Sequence, residues 1–139
     1  MLKNTRAPFF IVIVLGVLIA VLQHTALIFD LYWVIKWLDL VMHIFGGAWI
    51  AFLSFWFLFH FSFFQNRKGN SIFVADIVFL STLIVGILWE VFESQTGLTS
   101  VFQYHYWGDT FSDLLMDSVG ALVAGFFLVK SPIGRHLSS

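Results

Sequence analysis

Residues 108–125 read GDTFSDLLMDSVGALVAG, and this stretch decides the fold. Asp109, Asp113 and Asp117 recur at i, i+4 and i+8. On a helix that spacing places them along one face. Gly120, Ala121, Ala124 and Gly125 continue down nearly the same side. An acidic ladder running into an apolar helix is costly against lipid, so this face must turn toward other helices. The rest of the chain supplies them.

The 139 residues are 60% hydrophobic and only 11% charged, with a mean hydropathy of +0.92. That lies outside the soluble range and describes an integral membrane protein. The length fits a single transmembrane domain, 1–139. There is no cysteine, which excludes a disulfide framework, a thiolate zinc site and a thiol nucleophile. Nothing resembles a nucleic-acid patch. The start MLKNTR followed by PFFIVIVLGVLIAV has the outline of a secretory signal, but no A-x-A site follows it. We read it as a retained first transmembrane helix.

Four apolar segments are long enough to cross about 30 Å of hydrocarbon. They are 8–29, 37–64, 72–92 and 109–129. Pro8 suits the start of the first, where a missing N–H costs nothing. Leu31-Tyr32-Trp33 before the second reads as interfacial. The second is longer than a span needs, which predicts tilt or extension beyond the bilayer. The polar run from Gln65 to Asn70 is a turn, and Ser71 is the expected N-cap of the third. Residues 94–108 form a polar, aromatic loop. Runs of this length do not suit the short alternating strands of a barrel. The expected fold is an all-α, four-transmembrane-helix bundle.

Orientation follows from Lys and Arg. Lys3, Arg6, Arg67, Lys68, Lys130 and Arg135 fall on one side of a four-span chain, and only Lys36 on the other. Both termini are expected in the cytoplasm of a bacterial inner membrane. On that topology Asp39 and His43 lie near the external end of the second helix, and Glu90 and Glu93 at the external end of the third. Asp109, Asp113 and Asp117 descend from the external end of the fourth. At about 1.5 Å per residue, Asp117 is roughly 12 Å deeper than Asp109. Three helices therefore bring carboxylates and an imidazole to one outer-leaflet layer, while Asp76 is at the other end.

Asp39/His43 and Asp113/Asp117 are i, i+4 pairs and Glu90/Glu93 an i, i+3 pair, so each pair shares a face. So many carboxylates beside one histidine cannot all ionise in a low-dielectric layer. They are protonated, hydrated or neutralised by a cation. Oxygen ligands with one imidazole suit Mg, Mn, Ca or Zn. Paired motifs on facing helices are how bundle cores build carboxylate metal sites. The candidate ligands are Asp39, His43, Glu90, Asp113 and Asp117, with Glu93 a candidate general base. The plainer alternatives are a protonated hydrogen-bond network or a water-filled cavity. Asp109, after Gly108, reads first as an N-cap. Asp39 has Lys36 as a surface partner within reach. His24 and Gln23 border the same layer, His105 belongs to a loop or interfacial stretch placed to lid it, and His60 and His136 lie on the far side.

Gly46-Gly47, Gly86 and the small residues after Asp117 follow the polar groups on the same faces. They predict close helix contact just inside the acidic layer. Phe52, Phe55, Phe57, Phe59, Phe61, Phe63 and Phe64 cover too much of the second helix to be all core and read as lipid-facing.

These residues carry a resemblance. Asp39-x-x-x-His43 with Gly46-Gly47, then Trp89-Glu90-x-x-Glu93, then Gly108-Asp109-Thr110-x-x-Asp113-x-x-x-Asp117-x-x-Gly120-Ala121 resemble the YjdF-like and VanZ-like small bacterial membrane proteins. The VanZ-like group has a DKxxH element, a Glu near a Gln, and a D-x-x-x-N-x-x-G-A element in this order. Here Leu40 stands for the Lys and Asp117 for the Asn, so the YjdF-like pattern is the nearer. The resemblance implies a polytopic inner-membrane protein, and the VanZ-like branch is associated with glycopeptide resistance.

The expected function is a divalent-metal site serving a hydrolase or transferase on a lipid-linked or phosphate-bearing substrate. The alternatives are a cation- or proton-coupled transporter, or an accessory protein that interacts with lipid or antibiotic. Membrane lipids are the expected partners.

Overall fold

The computed structural model describes residues 6–61, 63–64, 66, 70–96 and 106–130. Among these residues five helices follow one another: α1 (Arg6–Ile28), α2 (Leu31–Val34), α3 (Leu38–His60), α4 (Ser71–Thr96) and α5 (Tyr106–Lys130). All but α2 are long and apolar enough to cross a membrane, and no strand occurs among the described residues. The protein is an all-helical membrane protein with four candidate spans. Lys3, Arg67, Lys68, Arg135, His105 and His136 lie outside the described residues.

The helix ends differ from the hydropathy boundaries in an instructive way. α3 stops at His60, short of Phe64, with Phe61 N–H donating to the Phe57 carbonyl at 3.1 Å. α4 runs beyond Phe92 to Thr96, whose hydroxyl donates to the Phe92 carbonyl at 2.9 Å. α5 begins three residues before Asp109. Hydropathy marks where lipid ends, whereas a helix ends where its hydrogen-bond ladder does. Two capping expectations change as a result. The cap of α4 is Asn70, whose Oδ1 accepts from Phe73 N–H at 3.0 Å, and Ser71 is already helical. Asp109 lies inside the first turn of α5 and is not its N-cap. An acid there still meets the positive end of the helix dipole.

α3 is the centre of the bundle, packing against α1, α4 and α5, most extensively against α5. α3 and α5 run in the same direction: His43 faces Asp117, and Phe52 meets Phe127 at 5.9 Å between ring centroids. α4 runs opposite, with Gly86 against Asp117 and Val78 against Gly125. The α3–α5 crossing is a backbone contact. A Cβ on Gly47 would meet the Asp117 backbone, and one on Gly120 the Ile44 carbonyl and Ala48 N. Small residues are required here because lipid supplies no hydrophobic drive between helices, so close packing must.

Beyond that crossing, Ala51, Phe52, Phe55, Phe59, Val74, Val78, Ala121, Ala124 and Leu128 form the apolar core. Phe52, Phe55 and Phe59 are therefore interior, at i, i+3 and i+7 on one face, and only Phe57, Phe61 and Phe63 are exposed. The aromatic run wraps the helix because it serves both surfaces. α1 is peripheral. It docks on α3 through Trp49, whose Nε1 donates to the Val12 carbonyl at 2.9 Å, with the indole lying over Gly16. Asp30, at φ 50°, turns the chain from α1 into α2. The left-handed region is one that Asp tolerates better than most residues. Trp33 and Trp37 are exposed beside it, as interfacial tryptophans are.

Candidate metal centre

The α3–α5 crossing determines the polar layer above it. Because Gly47 and Gly120 let the two backbones touch, the side chains one turn nearer the α3 and α5 N-termini are brought face to face. His43 of α3 lies between the two acids of α5. Its Nδ1 is 3.3 Å from Asp117 Oδ1, and its Nε2 is 3.8 Å from Asp113 Oδ1. Asp39 stands one turn from His43 on the same face. Asp39, His43 and Asp113 each offer a ligand atom, and these atoms lie within 4.8 Å of one another.

That group is narrower than the five-residue set expected from sequence. Asp117 is 7% exposed and lies on the other side of the imidazole, paired with Nδ1. Its second oxygen sits over Gly86, where a Cβ would come within 2.7 Å of it. Gly86 is therefore the floor of a carboxylate pocket as well as a packing residue. Glu90 of α4 is buried at 7% exposure and within hydrogen-bonding reach of Thr110, but stands outside the three-ligand group.

Two carboxylate oxygens in this layer lack any hydrogen bond: Glu90 Oε1 and Asp113 Oδ1. A buried acceptor left unpaired costs about 1–3 kcal/mol, and more when charged. Asp113 is only 4% exposed, and its orphan oxygen is the one aimed at His43 Nε2. At 3.8 Å the two atoms are too far apart for a hydrogen bond. They are spaced as two ligands of one ion are: donors at about 2.0–2.2 Å from a cation lie roughly 3–4 Å apart. The full 4.8 Å spread would close by roughly an ångström on ion entry.

Glu93 is half-buried one turn beyond Glu90, within electrostatic reach of Tyr32 and Asp39. Asp109 is exposed and Asp76 is exposed at the opposite end of the bundle. No Asp39–Lys36 ion pair forms among the described residues. Gln23 does border the layer: its Oε1 accepts from the Tyr32 hydroxyl at 2.5 Å. Burial pushes the Tyr32 phenol above its ordinary value, and the Asp39 carboxylate adds to the shift. His24 is exposed on α1, and His60 stacks on Trp56 at the far end, 5.1 Å between centroids.

Sequence reasoning passed over Tyr32 and Thr110. Tyr32 resembled any interfacial aromatic. Thr110 had a usable signal, since it precedes Asp113 by three residues and so shares its face.

No curated protein and no solved structure matches this chain. The model of the family described as a predicted membrane protein, DUF2238, matches residues 2–131. The chain belongs to that family of membrane proteins.

Proposed function

We propose that this protein binds a divalent cation inside the membrane through Asp39, His43 and Asp113. The supporting observation is the convergence of three ligand atoms within 4.8 Å around an Asp113 oxygen that has no hydrogen-bond partner. Two carboxylates and a neutral imidazole around a doubly charged ion make a neutral cluster. That removes the repulsion the acids would otherwise suffer in a low-dielectric layer. Mg, Mn, Ca and Zn all accept this donor set, and the imidazole favours Zn.

Three protein ligands leave coordination positions open. An open position on a divalent ion activates water or binds a phosphate oxygen. We therefore read the site as that of a hydrolase or transferase on a lipid-linked or phosphate-bearing substrate. Glu93 and the buried Glu90 are the candidate bases. We place the site in the external half of a bacterial inner membrane with both termini cytoplasmic, from the Lys and Arg distribution. The same residues motivate grouping the chain with YjdF-like and VanZ-like proteins. A transporter is less favoured because the buried residues beyond the Gly47–Gly120 crossing are apolar. Thr82, the one buried hydroxyl there among the described residues, is turned back onto the Val78 carbonyl at 2.9 Å.

Elemental analysis of protein purified in nanodiscs tests the cation. The expected result is one divalent ion per chain in wild type and none in His43→Ala or Asp113→Asn. Wild-type protein that stays metal-free after exposure to Mg, Mn, Ca and Zn overturns the reading and leaves a protonated network. Ion-dependent phosphate release from isoprenoid diphosphate in vesicles tests the enzyme. A loaded protein that releases none removes the hydrolase while keeping the cation.

A further inference from the structure

The acid deepest on the α5 face, Asp117, is buried yet stands outside the three-ligand group. Its position is nonetheless the most constrained in the layer. Its backbone is pressed against Gly47, one carboxylate oxygen against Gly86, and the other is near Gly46. The latter oxygen, Oδ1, is the one 3.3 Å from His43 Nδ1. The imidazole thus has an acid on each side. Nδ1 faces a carboxylate that glycines hold in place, and Nε2 faces the orphan oxygen of Asp113.

A neutral imidazole carries one N–H and one lone pair, and the partner of one nitrogen decides which is which. A carboxylate can only accept from Nδ1, so the proton stays on Nδ1 and the lone pair on Nε2 points at Asp113. Carboxylates placed behind a metal-bound histidine orient the ring and raise its basicity.

We infer that Asp117 is a positioning residue: it holds the His43 Nδ1 proton so that Nε2 is the ligating atom of the Asp39–His43–Asp113 site. This rests on the cation reading and assigns Asp117 a role other than ligand. Gly86 and Gly47 belong to the same device, since a side chain on either would displace Asp117.

Zinc titration combined with 15N spectra of histidine-labelled protein in nanodiscs tests it. In wild type, one zinc should bind per chain, with His43 Nε2 as the metal-bound nitrogen and Nδ1 carrying the proton. Asp117→Ala should still reach one zinc per chain, with affinity about 10–100-fold weaker, and should lose the fixed Nδ1–H signal before zinc is added. Asp117→Asn keeps an acceptor for Nδ1–H in the same shape, so it should restore the Nδ1–H signal and part of the affinity. A purely structural role for Asp117 would not move the tautomer signal. Loss of zinc at saturating concentration in both variants makes Asp117 a ligand and overturns the inference. So does an unchanged affinity in Asp117→Ala, or zinc on Nδ1 in wild type, a result that needs no variant to fold. Wild-type protein that takes up no zinc, with Mg, Mn and Ca also refused, overturns the underlying cation reading instead.

Discussion

The two halves of the α3–α4–α5 bundle solve opposite problems with the same geometry. In the half beyond Gly47 and Gly120, Ala51, Phe55, Phe59, Val78, Ala124 and Leu128 fill the interior. In the other half, Asp113, Asp117 and Glu90 are buried to a similar degree. Two of their oxygens lack hydrogen bonds. Buried apolar groups gain by packing, whereas buried carboxylates lose hydration and recover it only through partners. The first half should hold the bundle together. The second should weaken it in return for a site.

Four substitutions break or sharpen that contrast, beginning with the largest effect. Phe59→Ala should lower unfolding stability in detergent by about 3–5 kcal/mol, because Phe59 is 1% exposed in the apolar core. Its ion affinity should stay within about twofold, since the cavity lies away from the ligands. A parallel loss of affinity would mean that the halves are one cooperative unit.

Asp113→Val should act in the reverse sense. The ion is lost, while the ion-free protein gains about 1–3 kcal/mol, because a buried carboxylate oxygen without a hydrogen-bond partner is replaced by an apolar side chain. Denaturation with a chelator present measures it, and a loss of stability there would show the polar half to be self-sufficient without a cation.

Gly47→Ala forces a Cβ into the Asp117 carbonyl and should cost about 1–3 kcal/mol. Gly125→Ala is its control, with its nearest neighbour at 3.7 Å, and its thermal midpoint should match wild type.

Gly86→Ala should cost less stability than Gly47→Ala, because its Cβ meets side-chain atoms and not backbone, but it should displace the Asp117 carboxylate. Isothermal titration should then show roughly tenfold weaker zinc binding, and an unaltered isotherm would detach Gly86 from the site.

Much of this was legible in the residue order. Four apolar runs long enough to cross a bilayer, the i, i+4 acids and the small residues below them are periodic features. Periodicity survives without coordinates. The division of α3's phenylalanines was not legible. Phe52, Phe55 and Phe59 share a face, but Phe57, Phe61 and Phe63 are as hydrophobic, and hydropathy does not distinguish lipid from protein as a neighbour. Helix ends were also hidden, because Thr96 and Tyr106 continue ladders that composition suggested had stopped.

By itself, then, the sequence determined a membrane protein with four spans and an acidic, histidine-containing layer shared by three of them. Those properties are local, set by length, spacing and charge. Tertiary structure decided which acids meet. Asp39 and Asp113 converge with His43, Asp117 backs the imidazole over Gly86, and Glu90 stands apart with Thr110. That sorting depends on how two helices cross at Gly47 and Gly120. A crossing is a relation between distant residues, which spacing along one helix does not contain.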